Sequence, residues 1–227
     1  MDISAFEINF SELEIQNVKT KVASFPWHQM PKDGGWSYGT NLDFMKKLTN
    51  YWVNSYDWKS QEKLLNNFPQ FKTKVDGLEI HFIWKKSSSP NALPLLLSHG
   101  WPGSVIEFKE IIDPLCEPEK YGNDNELAFD IIAPSLPGFA FSDAPLNPIG
   151  PRKMAEIFNK LMVKNLGYKS YLAQGGDWGS VISTWLGFDH SEFCKAIHIN
   201  MLPLRHNEGP KNENEEQWSK DARKNYI

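Results

Sequence analysis

The chain has 227 residues, 41% hydrophobic and 23% charged, with 14 Phe and 9 Trp. That is enough for one domain with a sizeable core plus a small appendage, and the aromatic content suits a thick core or a large apolar cavity. A formal net charge of −4 gives no electrostatic case for nucleic acid or an anionic membrane, and Cys116 and Cys194 form no metal or redox spacing, reading instead as buried, inert thiols of a reducing compartment.

The first twenty residues carry carboxylates and no apolar run, and read as neither signal peptide nor membrane anchor. Residues 11–24 are predicted as a helix capped by Ser11, with Leu13, Val18 and Val22 as its apolar stripe and Pro26 as its stop. Residues 25–40, dense in Pro, Gly and aromatics, read as loop. Helices follow over about 41–56 and 58–67. KTKVDGLEIHFIWKK reads as two strands around Asp76-Gly77, a hairpin signal. ALPLLLSHG is a short apolar run ending in a polar turn, and a helix is predicted over 104–116. AFDIIAPSLPG, SYLAQGGDWGS and KAIHIN are three further apolar runs, with an amphipathic helix over 151–166 and another helix over 179–188. Buried strands alternating with helices predict an α/β fold, a mostly parallel sheet with helices on both faces. Ligands bind such sheets at the carboxyl ends of the strands. Beyond Leu202 the sequence turns hydrophilic, and NENEE (212–216) reads as a solvated face.

The stretch YLAQGGDWGS, residues 171–180, carries the chemistry. Gly175 and Gly179 flank Gly176-Asp177-Trp178 between a predicted strand and a predicted helix. In α/β-hydrolases a nucleophile sits on such a strained turn, with small neighbours because strand and helix backbones crowd there. By itself the pattern also fits an aspartate in a tight glycine turn or one capping a helix. The second element is SHGWPGS, 98–104, which ends an earlier apolar run. By itself it is also merely a good turn. In an oxyanion site its Trp101 N–H would donate beside the N–H of Trp178. The two motifs stand in the expected order. A carboxylate nucleophile gains little by attacking an acyl group, but it suits displacement at saturated carbon, giving an alkyl ester that water then hydrolyses. That second step needs a general base, normally a histidine held by a carboxylate.

These segments resemble the epoxide hydrolases of the α/β-hydrolase superfamily, the microsomal-type branch in particular. FPWHQMPKDGGWSYGT, YDWKSQEKLLNNFPQF and KVDGLEIHFI are similar to that branch's N-terminal extension. LLSHGWPGSVIEF is similar to its oxyanion loop, DIIAPSLPGFAFSDAP to the next strand and loop, QGGDWGS to the nucleophile elbow and KAIHINM to the strand before the lid. The resemblance implies a helical and meandering extension over 1–75, the front half of an α/β-hydrolase core over 76–202, incomplete on its C-terminal side, and the start of a lid over 203–227. It implies Asp177 as nucleophile, the Trp101 and Trp178 amides as oxyanion hole, and a cis Trp101-Pro102 peptide. His99, Gly100 and Pro102 support the loop, and Gly175, Gly176 and Gly179 shape the elbow. The expected substrate is a small apolar epoxide, opened to a vicinal diol without cofactor or metal.

The family's lid tyrosines, relay carboxylate and base histidine have no counterpart in these residues. His190, His198 and His206 follow Asp177 but fall outside the order the class requires, an acid first and then the histidine. His28 and His81 belong to the extension. Ser142-Asp143 reads as a turn, and Trp27, Trp36, Trp52 and Trp58 as packing. The 227-residue chain alone is therefore expected to be inactive in turnover, with an open sheet edge. A cytoplasmic protein without a membrane anchor is expected, either as a homodimer or joined to a complementing C-terminal half. A haloalkane dehalogenase-like hydrolase and a non-catalytic remnant that acts by binding are the alternatives.

Overall fold

The computed structural model describes residues 2–31, 34–122, 127–202 and 209–224. Its first element is a strand with no local signal in the sequence: β1, Ile3–Phe6. Four residues with no period of their own become a strand only because an edge is waiting for them. Helix α1, Glu12–Ala23, begins in a capping box, with Ser11 accepting from the Glu14 N–H and Glu14 reaching back to Ser11. Its inward stripe corrects the expected one. Ile15 is buried and Val18 and Val22 half-buried, at spacings of three and four, whereas Leu13 is 71% exposed. Helices α2, Leu42–Asn54, and α3, Trp58–Leu65, start at side-chain caps from Asn41 and Asp57.

Strands β2, Gln70–Val75, and β3, Leu78–Lys85, form the expected hairpin. Asp76 and Gly77 both take positive φ, 50° and 85°, as a two-residue turn matched to strand twist requires. Strand β4, Leu93–Ser98, leads to a single 3-10 turn, Val105–Phe108, and then to α4, Ile112–Cys116. The continuous helix expected over 104–116 does not form. Pro114 would fall in its interior, where the ring clashes with the preceding turn and an N–H is missing, so the chain restarts with Pro114 in the first turn of α4.

Strand β5, Phe129–Pro134, is followed by α5, Pro151–Lys160, which runs on through a π turn at Leu161–Asn165. Then come β6, Tyr171–Gly175, α6, Trp178–Asp189, β7, Cys194–Ile199, and a polar helix α7, Glu213–Lys224.

The seven strands make one sheet in the order β1-β2-β3-β5-β4-β6-β7. It is mixed. β1 to β3 run antiparallel and β3 lies antiparallel to β5, while β5, β4, β6 and β7 are parallel. Helices cover both faces. On one, α5 and α6 press Ile157, Phe158, Ile182 and Leu186 onto Leu96, Ile132 and Ala173, each larger side chain contributing about 1.5–3 kcal/mol by burial. On the other, α4 and the 3-10 turn pack Phe108 and Ile112 against Leu95, Leu97 and Ile131. This division follows from right-handed crossovers. The step from β4 to β5 runs one way along the sheet, and the steps to β6 and β7 run the other.

A buried polar network ties the hairpin to the loop after β5. His81 lies 2.8 Å from Ser135 Oγ through Nδ1 and 2.9 Å from Gln70 Oε1 through Nε2. The Gln70 amide donates to Leu65 O, which turns its oxygen to the ring. His81 therefore carries its proton on Nε2 and accepts from Ser135. Burial pushes its pKa down to about 4, with Lys72 adding a smaller push in the same direction.

Candidate active site

Strand β6 ends at Gly175 and α6 begins at Trp178, so two residues turn the chain from sheet to helix. The turn is tight enough to dictate its own sequence. A Cβ on Gly175 would lie 2.0 Å from Gly179 O, and one on Gly179 would lie 1.9 Å from Ser98 O. Helix α6 thus rests directly on the ends of β6 and β4. A Cβ on Gly176 would meet the Asn200 amide oxygen at 2.7 Å. Asn200, at the end of β7, is a neighbour of the elbow that sequence reasoning missed. Its only signal was a polar residue closing an apolar run.

Asp177 sits at φ 50°, ψ −123°, a conformation that L-residues rarely adopt and that costs on the order of 1–3 kcal/mol. It occupies the N-cap position of α6, yet its carboxylate accepts no capping bond. Instead Oδ1 accepts from the Trp101 N–H at 2.9 Å. Gly100 allows this approach, because a Cβ there would lie 2.6 Å from Asp177 Cβ and 2.8 Å from Oδ1. The helix-cap reading of this aspartate therefore fails: the carboxylate is aimed away from α6 and at the loop after β4.

That loop is held from beneath. His99 is fully buried. Its Nδ1 lies 2.9 Å from Gly100 O, and the Leu136 N–H donates to its Nε2 at 3.1 Å, so both ring nitrogens are engaged and the proton rests on Nδ1. Burial lowers its pKa, partly opposed by the Gly100 carbonyl and Glu107. Neither ring nitrogen of His99 is free. The ring bonds within the turn that carries Trp101, and the Trp101-Pro102 peptide is cis.

Above Asp177 lies a pocket of about 200 Å³ lined by Pro151, Asp177, Trp178, Val181 and Met201. Asp177 and the backbone of Trp101 meet at this place, and Trp178 supplies the first residue of α6 beside them. No histidine bonds to Asp177 among the described residues. His190 ends α6, His198 lies exposed on β7, and His206 is outside the described residues. Cys116 and Cys194 are buried and far from reactive, their thiols pushed by burial to about 11.

Comparison with known proteins gives the same frame. Residues 3–108 match the family described as epoxide hydrolase N terminus, and residues 94–224 match the alpha/beta hydrolase fold. The chain belongs to the epoxide hydrolase family of the α/β-hydrolase fold. It is 39% identical over 209 residues to epoxide hydrolase 1 of Sus scrofa, covering 89% of this chain and 46% of that protein. It is 42% identical to the juvenile hormone epoxide hydrolase of Bombyx mori over 204 residues, 88% of this chain and 43% of the relative. The crystal structure of the Bombyx mori juvenile hormone epoxide hydrolase superposes with a TM-score of 0.80 at 40% identity, over 88% of this chain and 53% of that one. The Aspergillus niger epoxide hydrolase gives 0.81 at 32% identity, over 94% and 56%. The chain spans about half the length of the epoxide hydrolases it matches.

Proposed function

We propose that this chain supplies the nucleophilic half of an epoxide hydrolase site. The observation that carries the reading is the Asp177 carboxylate, held by one oxygen on the Trp101 N–H and turned away from the helix it precedes. The engaged oxygen, Oδ1, leaves Oδ2 to attack an epoxide carbon. The C–O bond of the ring breaks as the Asp177 ester forms, and the ring oxygen takes up a proton from an acid on the lid, the tyrosines that the family resemblance implies. Water then adds to the ester carbonyl carbon. The negative charge that develops on Oδ1 falls where the Trp101 N–H already points, with the Trp178 N–H as second donor. Collapse releases the diol and regenerates the carboxylate. The base and relay acid for this second step belong to the carboxyl-terminal half of the fold, since no histidine among the described residues bonds to Asp177.

Residues 1–75 act as the extension, 76–202 as the front of the catalytic core, and 203–227 as the start of a lid. The substrate is a small apolar epoxide and the setting is the cytoplasm. Among the described residues no helix is long and apolar enough to cross a membrane. The named relatives favour epoxide over haloalkane as the electrophile.

The test is intact-mass spectrometry of the chain incubated with styrene oxide. Expected is one epoxide equivalent added at Asp177 and absent from Asp177→Asn. In heavy-oxygen water, any turnover should place solvent oxygen in Asp177 first. Label that appears in the first diol without passing through Asp177 would sink the ester mechanism.

A further inference from the structure

Two buried histidines flank one dipeptide. His81 lies on β3, His99 just after β4, and Ser135-Leu136 just after β5, the strand that separates β3 from β4 in the sheet. Ser135 is knitted to His81. Its N–H donates to His81 O at 2.9 Å, and its Oγ lies 2.8 Å from His81 Nδ1. Ser142 Oγ closes the link, accepting from the His81 N–H at 3.0 Å and donating to Ser135 O at 2.9 Å. The next residue, Leu136, gives its N–H to His99 Nε2 at 3.1 Å. On its far side His81 is held by Gln70 Oε1 from β2, while Phe6 of β1 and Phe141 meet the ring edge-on, with centroids at 5.1 and 5.2 Å.

The donors fix the direction of each bond. Burial holds both rings neutral, pushing His81 to about 4 and lowering His99, so each ring has one N–H to give and one lone pair to offer. A backbone N–H can only donate, so His99 accepts from Leu136 at Nε2 and donates from Nδ1 to Gly100 O. Gly100 O also accepts from the Gly103 N–H at 3.0 Å. The Gly100 carbonyl and the Trp101 N–H belong to one planar peptide unit and point opposite ways, so anchoring the oxygen aims the hydrogen. It is aimed at Asp177 Oδ1, 2.9 Å away from the Trp101 nitrogen.

We propose that His81 and Ser135 are positioning residues for the nucleophile: through Leu136 and His99 they set the orientation of the Gly100–Trp101 peptide, and with it the donor on which the Asp177 carboxylate rests. What that donor does for the chemistry rests on the epoxide hydrolase reading. Neither His81 nor Ser135 bonds to Asp177; both act through the turn that carries Trp101. Phe6 and Gln70, by bracing His81, give β1 and β2 a part in aligning a site that lies beyond their reach.

The test combines nitrogen-15 NMR of the purified chain, labelled at histidine and tryptophan, with the rate of styrene oxide adduct formation at Asp177 over a range of epoxide concentrations. Ser135→Ala removes the hydroxyl that faces His81, His81→Leu removes the ring, and His81→Asn keeps an acceptor where Nδ1 stands. Expected for Ser135→Ala and His81→Leu are a shifted His99 Nε2 signal, a shifted Trp101 amide signal, and a limiting rate of adduct formation lowered on the order of tenfold, with the epoxide concentration for half-maximal rate unchanged. Expected for His81→Asn is recovery of both signals and of most of the rate. Unmoved His99 and Trp101 signals in Ser135→Ala, an adduct rate equal to that of the unaltered chain, or a His81→Asn chain no better than His81→Leu would overturn the proposal. Ser135→Ala is the smaller change and decides the matter if His81→Leu does not fold. The NMR signals need no epoxide: failure of the epoxide hydrolase reading shows in the unaltered chain, as no adduct, and failure of the positioning shows only in the variants.

Discussion

Asp177 should destabilise the protein that depends on it. Its φ of 50° and ψ of −123° cost on the order of 1–3 kcal/mol for any residue with a Cβ. The comparison that isolates this strain is Asp177→Gly against Asp177→Ala, since both remove the carboxylate and its bond to the Trp101 N–H. Trp101 is 64% exposed, so water replaces that bond at little cost in either variant. Glycine relieves the strain but loses about 0.5–1 kcal/mol to its freer unfolded chain. At the middle of both ranges the balance leaves Asp177→Gly more stable than Asp177→Ala by about 1.2 kcal/mol, or about 2–5 °C in Tm for a chain of this size. Urea unfolding followed by tryptophan fluorescence and by circular dichroism measures it, provided the two transitions coincide. An alanine variant as stable as the glycine variant would refute the strain argument.

Three further outcomes follow from the same geometry. Gly179→Ala drives a Cβ to 1.9 Å from Ser98 O and should cost about 1–3 kcal/mol or more in urea unfolding, and Gly100→Ala, whose Cβ would lie 2.6 Å from Asp177 Cβ, should abolish the epoxide adduct at a comparable cost in stability. His81 has a folded pKa of about 4 against 6.5, so the unfolded chain binds the extra proton between these values; stability present above pH 6.5 should fall by about 3 kcal/mol as pH drops to 4, and His81→Gln should flatten that slope in pH-dependent unfolding. Cys116 and Cys194 should resist a thiol reagent at pH 8 in the native chain and react after denaturation; rapid native labelling would contradict their burial.

Most of the parallel sheet was legible because β4, β5 and β6 are short apolar runs with a glycine or proline exit. The elbow was legible for a different reason: crowding leaves only glycine at 175 and 179, and a crowded turn writes itself into the sequence. What stayed hidden depends on partners distant in the chain. β1 is a strand only beside β2, roughly seventy residues away. Leu13 looked like core and faces solvent, because helical spacing cannot say which of two stripes meets the sheet. The break before α4 was readable in Pro114 but yielded to the surrounding apolar period. Asn200 came into view only through its contact with Gly176, since nothing local marks the end of β7 as a neighbour of β6's turn.

The register of β4 against β6 has a further consequence. Ser98 stands opposite Gly175 in that parallel pair, and each chain then runs on two or three residues to Trp101 and Asp177. Donor and carboxylate meet only because these two strands are aligned residue for residue. A slip of one position would displace one from the other by about 3.3 Å. The 2.9 Å bond would become a gap too wide to bridge without water. The sheet works here as a vernier: a whole-residue setting of two neighbouring strands fixes a distance on which the chemistry depends to a few tenths of an ångström.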